Sequence, residues 1–200
     1  MVNGVPLNIR SSKAIPPCSG EKFEVRRAES NNCITFDLTL GGQWLKSVKL
    51  HKDHVEKVAK LHQIYKERKG DGPSRITLDE HIFVMLLRYA SYFGQEGSGL
   101  HAALPSKVFE VLHGEFGVEL ECYASPLNCY FPSYCSAFFD TDHSFGSYGS
   151  FLKFFPTEGS FAANPPFTEE MLVSPPTFFL FSSADPSTLP SSFRFLWPIT

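Results

Sequence analysis

One tetrapeptide of the sequence combines residue types that can hold a planar amino group. Asn164-Pro165-Pro166-Phe167 places an amide side chain, a carbonyl with no competing N–H and an aromatic ring next to one another. Adjacent prolines exclude a helix and a central strand, so the segment is predicted to be a loop at a strand end. The Asn164 oxygen and the Pro165 carbonyl can each accept one amino hydrogen, and Phe167 can stack on the ring behind the amine for about 1–3 kcal/mol, by analogy with base–aromatic stacking. The pattern favours a site that aims the nitrogen lone pair at an electrophile; the alternative is a loop that contains these residues by chance.

Those four residues resemble the Asn-Pro-Pro-[Tyr/Phe] signature of methyltransferases that use S-adenosylmethionine to modify an adenine N6 amine, a cytosine N4 amine or a glutamine amide. Further segments closely resemble one such family, the cap-specific adenosine N6-methyltransferases, also called phosphorylated C-terminal-domain interacting factors. Because the segments match in order, this resemblance is more specific than any single motif, and it covers residues 76–172. The matching segments are Gly99–Pro105, Phe116–Val118, Glu121–Phe131, Tyr134–Ala137, Asp140–Asp142, Phe145–Ser147, Gly159–Phe161 and Asn164–Glu170.

The resemblance implies N6-methylation of 2′-O-methyladenosine beside the 7-methylguanosine cap of mRNA. It implies S-adenosyl-L-methionine as the cofactor, capped mRNA as the partner and a nuclear location, with no metal and no membrane. The reaction would be a direct displacement in which positioning contributes most. The family is also linked to the phosphorylated RNA polymerase C-terminal domain through a WW module. We expect that module to be absent here, because Trp44 and Trp197 lie too far apart to form its Trp pair.

The same resemblance assigns roles to the residues that match the family's motifs. The expected catalytic residues are Asn164, Pro165, Pro166 and Phe167. The expected cofactor-binding residues are Ala124, Ser125, Pro126, Asn128, Asp140, Asp142 and Asn164. The expected substrate-binding residues are Phe167 and Glu169.

Two parts of that assignment depend on local chemistry. Asp140 and Asp142 could anchor ribose hydroxyls or the methionine amine, although a solvated acidic turn is the alternative. No Gly-x-Gly follows Glu121, so Ser125 and Asn128 would have to supply hydrogen bonds that backbone amides supply in other methyltransferases. The named family shares this departure.

The hydrophobic pattern predicts the elements that lead up to these loops. Strands over 21–27 and 33–40 form a hairpin, and helices follow over 51–69, 78–93 and 105–113. The second helix begins with the capping-box pattern Thr77-x-x-Glu80, and its apolar residues on all sides predict a central position. Later strands over 117–123 and 160–163 end at the loops of the candidate site, and residues 140–146 read as a polar loop.

The predicted fold class is α/β: an N-terminal hairpin plus a helical segment, followed by an incomplete Rossmann-like methyltransferase sheet. Residues 1–20 are expected to form an irregular leader, and 21–115 the strand hairpin and helical region. Residues 116–172 would be the first part of the methyltransferase domain. Residues 173–200 would be an aberrant or divergent tail rich in Phe, Pro and Ser, with a possible strand at Phe178–Phe181.

Composition and charge set the limits of these interpretations. The chain has 200 residues, 42 % of them hydrophobic, which is enough for a folded core. Its five cysteines are too few and too scattered for a disulfide scaffold, and no apolar run could span a bilayer. Residues 1–70 hold 13 Lys and Arg against 7 Asp and Glu, whereas 71–200 hold 5 against 14. A basic front half is a weak indication of a polyanion such as RNA, with solvated helix faces as the alternative.

The tail affects the expected activity. Residues 173–200 depart from the family's pattern, so we expect this chain alone to be an incomplete and inactive form with its cofactor half enclosed. One alternative is an amino-group methyltransferase on another substrate, such as DNA adenine or a glutamine amide. Another is a non-catalytic remnant that binds RNA or a partner.

Overall fold

The computed structural model describes residues 22–70, 75–93, 104–156 and 158–165, together with the backbone of 193–196. These residues form a mixed α/β structure with a three-stranded antiparallel sheet, a short parallel sheet and helices between them. The helices in this part of the chain are all too short or too polar to cross a membrane.

The antiparallel sheet has the order β1-β2-β3, with strands Phe23–Ser30, Cys33–Leu40 and Gln43–His51. The predicted hairpin is confirmed as β1 and β2, and β3 is an additional strand. A two-residue turn with Gly41 and Gly42 at φ 55° and 82° joins β2 to β3. The register shifts between Leu38 and Thr39, so the inward and outward alternation of β3 is interrupted. This bulge explains why the period-two pattern did not predict the third strand.

Two helices cover the inner face of that sheet, α1 over Lys52–Lys69 and α2 over Leu78–Phe93. We call β1–β3 with α1 and α2 the antiparallel layer. Its apolar side chains form one cluster that includes Ile34, Phe36, Val58, Ile82 and Met85, all with 0 % exposure. The central position predicted for α2 is wrong, because only one face of the helix is buried and Val84 and Tyr92 on the other face are 52 % and 70 % exposed.

The ends of the helices follow local signals. The Thr77 backbone N–H donates to Glu80 Oε2 at 2.6 Å, and the Glu80 N–H donates to Thr77 Oγ1 at 3.2 Å, which confirms the capping box. A third helix, α3, runs from Ser106 to Phe116, further than predicted. Gly114 does not end it, because glycine is tolerated inside a helix. The helix ends at Gly117, whose φ of 65° suits a left-handed cap.

The parallel sheet consists of β4 over Val118–Glu121, β5 over Gly159–Ala162 and β6 over Phe193–Leu196, in the order β4-β5-β6. Two single-residue parallel bridges extend it beyond β4, from Glu121 to Tyr134 and from Tyr134 to Ser147. We number the five strand positions along the chain as β4, Tyr134, Ser147, β5 and β6. Across the sheet they therefore lie in the order third, second, first, fourth and fifth. The fifth position is β6, which lies within the predicted tail. The possible strand at Phe178–Phe181 lies outside the described residues.

The segment between Tyr134 and β5 is more regular than the polar loop expected over 140–146. It contains a one-turn helix, α4, over Phe139–Asp142, and 3-10 turns over His143–Phe145 and Phe151–Lys153. Tyr134 and Phe145 are fully buried and belong to the same cluster as α1 and α2. We call residues 118–165 the parallel region, and this shared cluster joins it to the antiparallel layer.

Candidate functional site

A small, partly open pocket lies at the carboxyl ends of β4 and β5. Glu121 ends β4, and Asn164 follows β5 by two residues. In a parallel sheet these ends meet at one edge, which is where open α/β sheets bind ligands. Both side chains therefore reach the same cavity. Its lining residues are Leu104, Phe109, Glu121, Tyr123, Asn128, Ala162 and Asn164.

The signature loop begins at this pocket. Ala163 and Pro165 are buried, whereas Asn164 is partly exposed and lines the cavity. The carbonyl of Ala162 accepts a hydrogen bond from the Cys122 N–H at 2.7 Å, which ties the end of β5 to the residue that follows β4. Three of the predicted residues, Pro166, Phe167 and Glu169, lie outside the described residues.

The loop after β4 is closed by its own side chains. Asn128 Oδ1 accepts from the Ser125 backbone N–H at 2.7 Å and from the Ser125 hydroxyl at 2.9 Å. Ser125 and Pro126 are buried, and the Ala124 N–H donates to the Cys135 carbonyl at 2.9 Å. The side-chain oxygen of Asn128 is thus used within the loop. Its NH₂ group makes no hydrogen bond to the residues described, so it is the part of Asn128 that can donate to a ligand.

Glu121 is a pocket residue to which the sequence analysis gave no role. Its side chain is buried, and Oε1 accepts from the backbone N–H groups of Tyr130 at 2.6 Å and Phe131 at 3.0 Å. Burial raises the pKa of this carboxyl above its ordinary value, although both hydrogen bonds oppose the shift. The sequence contained a signal that could have identified Glu121 as a pocket residue, because it is an acidic residue at the end of the strand before the 124–128 loop.

Asp142 lies in the core rather than in the pocket. It is fully buried; Oδ2 accepts from the Tyr89 hydroxyl at 2.6 Å, and Oδ1 accepts from Thr141 Oγ1 at 3.0 Å. Burial raises the pKa of Asp142 to about 6. Asp142 therefore ties α2 to α4.

Asp140 differs from its neighbour. Its side chain is exposed and lies 3.5 Å from the guanidinium of Arg88. Asp140 is therefore solvated, as the alternative of an acidic turn predicts, whereas Asp142 is not. Neither carboxylate lines the pocket with Asn164, so the cofactor-binding roles of both stay predictions.

The described residues contain no group of three His, Cys, Asp or Glu side chains arranged to hold a metal ion. The pocket is lined by the side-chain amides of Asn128 and Asn164 and by the buried carboxylate of Glu121. Leu104 and Phe109 add apolar surface. Such a site can bind a planar, partly apolar group and a positive charge.

Comparisons with known proteins give two kinds of similarity. Residues 60–179 match the family model described as "Phosphorylated CTD interacting factor 1 WW domain". An mRNA (2′-O-methyladenosine-N(6)-)-methyltransferase from Mus musculus is 48 % identical over 175 residues, which cover 77 % of this chain and 25 % of the relative. The Homo sapiens protein of the same name is 57 % identical over 94 residues, which cover 46 % of this chain and 13 % of the relative.

Both relatives are much longer than the parts they share with this chain, which spans about a quarter of the mouse protein. The matched residues 60–179 contain no tryptophan, since Trp44 and Trp197 both lie outside them. The family model nevertheless matches more than half of the chain. This chain belongs to the phosphorylated CTD interacting factor 1 family.

Proposed function

We propose that this chain carries the methyl-transfer site of an S-adenosyl-L-methionine-dependent RNA adenine N6-methyltransferase. The expected substrate is 2′-O-methyladenosine beside the 7-methylguanosine cap of mRNA, because that nucleoside appears in the names of both relatives. The observation that carries the proposal is the meeting of Glu121, Asn128 and Asn164 in one pocket.

The strand order supports a nucleotide-type cofactor at that place. A parallel order of third, second, first, fourth and fifth is the order of the Rossmann-like sheet that we expect. In such sheets the order in which successive strands are added reverses between the first and fourth strands, and ligands bind at that point. Here those strands are β4 and β5, whose ends hold Glu121 and Asn164.

The pocket residues fit the methyl donor. S-adenosyl-L-methionine supplies an electrophilic methyl group on a positively charged sulfur, together with an ammonium group. The Glu121 carboxylate is a suitable partner for positive charge, and the Asn128 NH₂ group can donate to an acceptor on the ligand. Phe109 and Leu104 provide apolar walls for a ring.

The chain's own residues would act mainly by positioning. The Asn164 side-chain oxygen and the Pro165 carbonyl would accept the two amino hydrogens of adenine, which orients the nitrogen lone pair. These bonds strengthen as the nitrogen gains positive charge, so they stabilise the transition state more than the ground state. Phe167 would stack on the base and Glu169 would contact the capped substrate, as the family's motif implies.

A direct test measures donor binding and methyl transfer by the 200-residue chain. We expect S-adenosyl-L-methionine to bind with an affinity measurable by calorimetry, and Asn164→Ala to abolish labelled methyl transfer to capped RNA wherever the parent chain supports it. Asn32→Ala, at an exposed position of the β1–β2 turn, is a matched control that should change neither quantity. Near-normal transfer by Asn164→Ala would refute the assigned role.

The choice of RNA and DNA substrates separates the alternatives. Transfer to capped RNA but not to uncapped RNA or DNA supports the cap-adjacent reaction, whereas transfer to DNA adenine or to a glutamine amide supports another amine. No donor binding would indicate a non-catalytic remnant. The inactivity of the chain alone also stays a proposal, and robust methylation of capped RNA by it would contradict that part.

The family name connects these proteins to a phosphorylated C-terminal domain. For this chain we propose a nuclear location, where capped transcripts are made. We propose that this chain contributes to contact with a phosphorylated polymerase tail, since the family model that it matches is described as a WW domain, although the matched residues contain no Trp pair.

A further inference from the structure

Three histidines from different elements lie together where the antiparallel layer meets the parallel region. His62 is in α1, His81 is in α2, and His143 begins the 3-10 turn over His143–Phe145. The centroids of the His62 and His81 rings are 5.1 Å apart, and those two rings lie 5.9 and 6.4 Å from the ring of Phe145. His143 is close enough for its charge to act on His81. We call these three residues the histidine cluster, which joins two helices of one region to a turn of the other.

The hydrogen bonds of the histidine cluster need no charged ring. His62 Nδ1 lies 2.9 Å from the Ser144 carbonyl oxygen, and His143 Nδ1 lies 3.0 Å from the Phe139 carbonyl oxygen. Because a carbonyl oxygen only accepts, each Nδ1 carries a hydrogen, and one hydrogen per ring is what a neutral imidazole has. A second proton adds at Nε2 and gives the ring a full positive charge.

The surroundings of His81 disfavour that charge. Burial lowers the pKa of His81 below its ordinary value of 6.5, and positive charge on His62, His143 and Lys66 lowers it further. Glu80 opposes the shift, but its carboxylate is used in the capping box of α2. The half-buried position of His81 still leaves its ring within reach of water.

Two acidic residues lie just before His143 in the chain. Asp142 is buried and accepts a hydrogen bond from α2, and Asp140 lies 3.5 Å from the guanidinium of Arg88. On the α1 side, Tyr65 packs edge-on against the His143 ring with centroids 6.2 Å apart, which supplies a ring rather than a negative charge. The acidic side chains that the structure describes beside the histidine cluster are thus engaged with other groups.

We propose that the histidine cluster is an acid-sensitive contact, which holds the turn over His143–Phe145 against α1 and α2 and releases it when the rings become charged. At neutral pH the rings pack as uncharged groups around Phe145. Acidification places positive charges on neighbouring rings beside Lys66, and their repulsion is relieved when the turn moves away. None of the three histidines lines the pocket, so the proposal is independent of methyl transfer.

Amide hydrogen exchange of the 200-residue chain at pH 7.5 and 5.5, corrected for intrinsic exchange rates, tests the release. The Gly146 N–H donates to the His143 carbonyl at 3.2 Å and closes the turn, whereas the Cys122 N–H donates to the Ala162 carbonyl at 2.7 Å in the parallel sheet. A single turn is not stable without its packing, so the Gly146 amide exchanges once the turn is released. We expect acidification to lower its protection about tenfold, since one titrating group changes an equilibrium by at most tenfold per pH unit.

The sign follows from the lowered pKa of His81. The folded contact binds the proton less tightly than the released state, so the contact is weakened as the pH falls below about 6.5. Burial has the opposite effect on Asp142, whose pKa is raised to about 6. Asp142 is present in every variant below, so comparing variants removes its contribution.

Three variants identify the responsible group. His81→Gln removes the titrating ring and keeps a polar side chain, so the protection of the Gly146 amide should change by no more than about twofold between the two pH values. Lys66→Gln removes a positive charge near His81 and should give a smaller fall than the parent chain. His54→Gln is the matched control, because His54 is exposed on α1 and lies outside the histidine cluster. It should retain the parent response.

Each remaining outcome counts against the proposal. An equal fall at the Gly146 and Cys122 amides would indicate global unfolding rather than release of the turn. A parent response in His81→Gln, or its loss in His54→Gln, would assign the pH dependence to another group. Thermal unfolding at pH 7.5 shows which variants are folded. If His81→Gln is not, Lys66→Gln decides, and a fall equal to that of the parent chain would overturn the proposal.

Discussion

The antiparallel layer and the parallel region are stabilised in different ways. Eight residue pairs join β1 to β2 in one uninterrupted ladder, and a third strand extends the sheet. In the parallel region, β4 and β5 have four residues each, and on the β4 side the described part of the sheet continues through single-residue bridges at Tyr134 and Ser147. The backbone ladder supports the first region, whereas individual side-chain hydrogen bonds and close backbone contacts shape the second.

This difference bears on the site. Glu121, Asn128 and Asp142 each accept at least two hydrogen bonds from the described residues, and all three lie in the parallel region. Buried polar networks lose much of their value when one member is removed, because the remaining groups are left unsatisfied. Single substitutions should therefore affect both stability and the pocket in the parallel region, and stability alone in the antiparallel layer.

The largest expected effect on stability is at Gly146, which precedes the bridge residue Ser147. Its φ is 101°, and a Cβ atom added there would lie 2.6 Å from the carbonyl oxygen of Pro132. Gly146→Ala therefore combines backbone strain with a clash against main chain, and it should lower the free energy of unfolding by roughly 3 kcal/mol or more. Urea unfolding of the 200-residue chain measures the change.

Gly42→Ala is the matched control in the antiparallel layer. Its φ is 82°, also left-handed, but an added Cβ would meet nothing within 4 Å. Only the strain contributes, so we expect a loss of about 1–2 kcal/mol. Equal losses for the two variants would show that the contact with Pro132 relaxes, and that the parallel region is less tightly constrained than its geometry indicates.

The next effect concerns the hydrogen bond that joins the two regions. Tyr89→Phe removes the donor to Asp142 Oδ2 and should cost about 2 kcal/mol at neutral pH, because a buried carboxylate loses a partner. Burial already raises the pKa of Asp142 to about 6, above the unfolded value of 3.8. The folded state therefore binds the proton more tightly, and the contribution of Asp142 to stability falls as the pH rises from 3.8 to about 6.

Loss of the Tyr89 hydroxyl raises the folded pKa of Asp142 further. The cost of Tyr89→Phe should consequently grow as the pH rises above about 6, which urea unfolding at pH 5, 6 and 7.5 can measure. Tyr92→Phe serves as the control, since Tyr92 is on the same helix and 70 % exposed. A cost that is independent of pH would mean that Asp142 is not the group responsible.

The two regions also differ in how far the sequence predicted them. The hydrophobic period and the capping box predicted α1 within one residue and α2 as observed, because both signals are local. Tyr134 and Ser147 occupy sheet positions of a single residue, which leaves no period to detect. Asn128 and Asn164, which the motifs assigned to the cofactor, line one pocket, and their roles stay predictions. The partners of Glu121 lie nine and ten residues along the chain and are fixed only by folding.

The smallest effect is expected at the capping box of α2, in the antiparallel layer. Thr77→Ala removes the hydroxyl that accepts from the Glu80 N–H and donates to Glu80 Oε2, while the Thr77 N–H can still donate to Glu80. We expect a loss of about 1 kcal/mol in the free energy of unfolding, and Thr77→Ser should retain the parent value. Binding of S-adenosyl-L-methionine should not change, because no residue of the capping box lines the pocket. A tenfold drop in donor affinity for Thr77→Ala would show that the position of α2 determines the pocket, and would contradict its dependence on the parallel region alone.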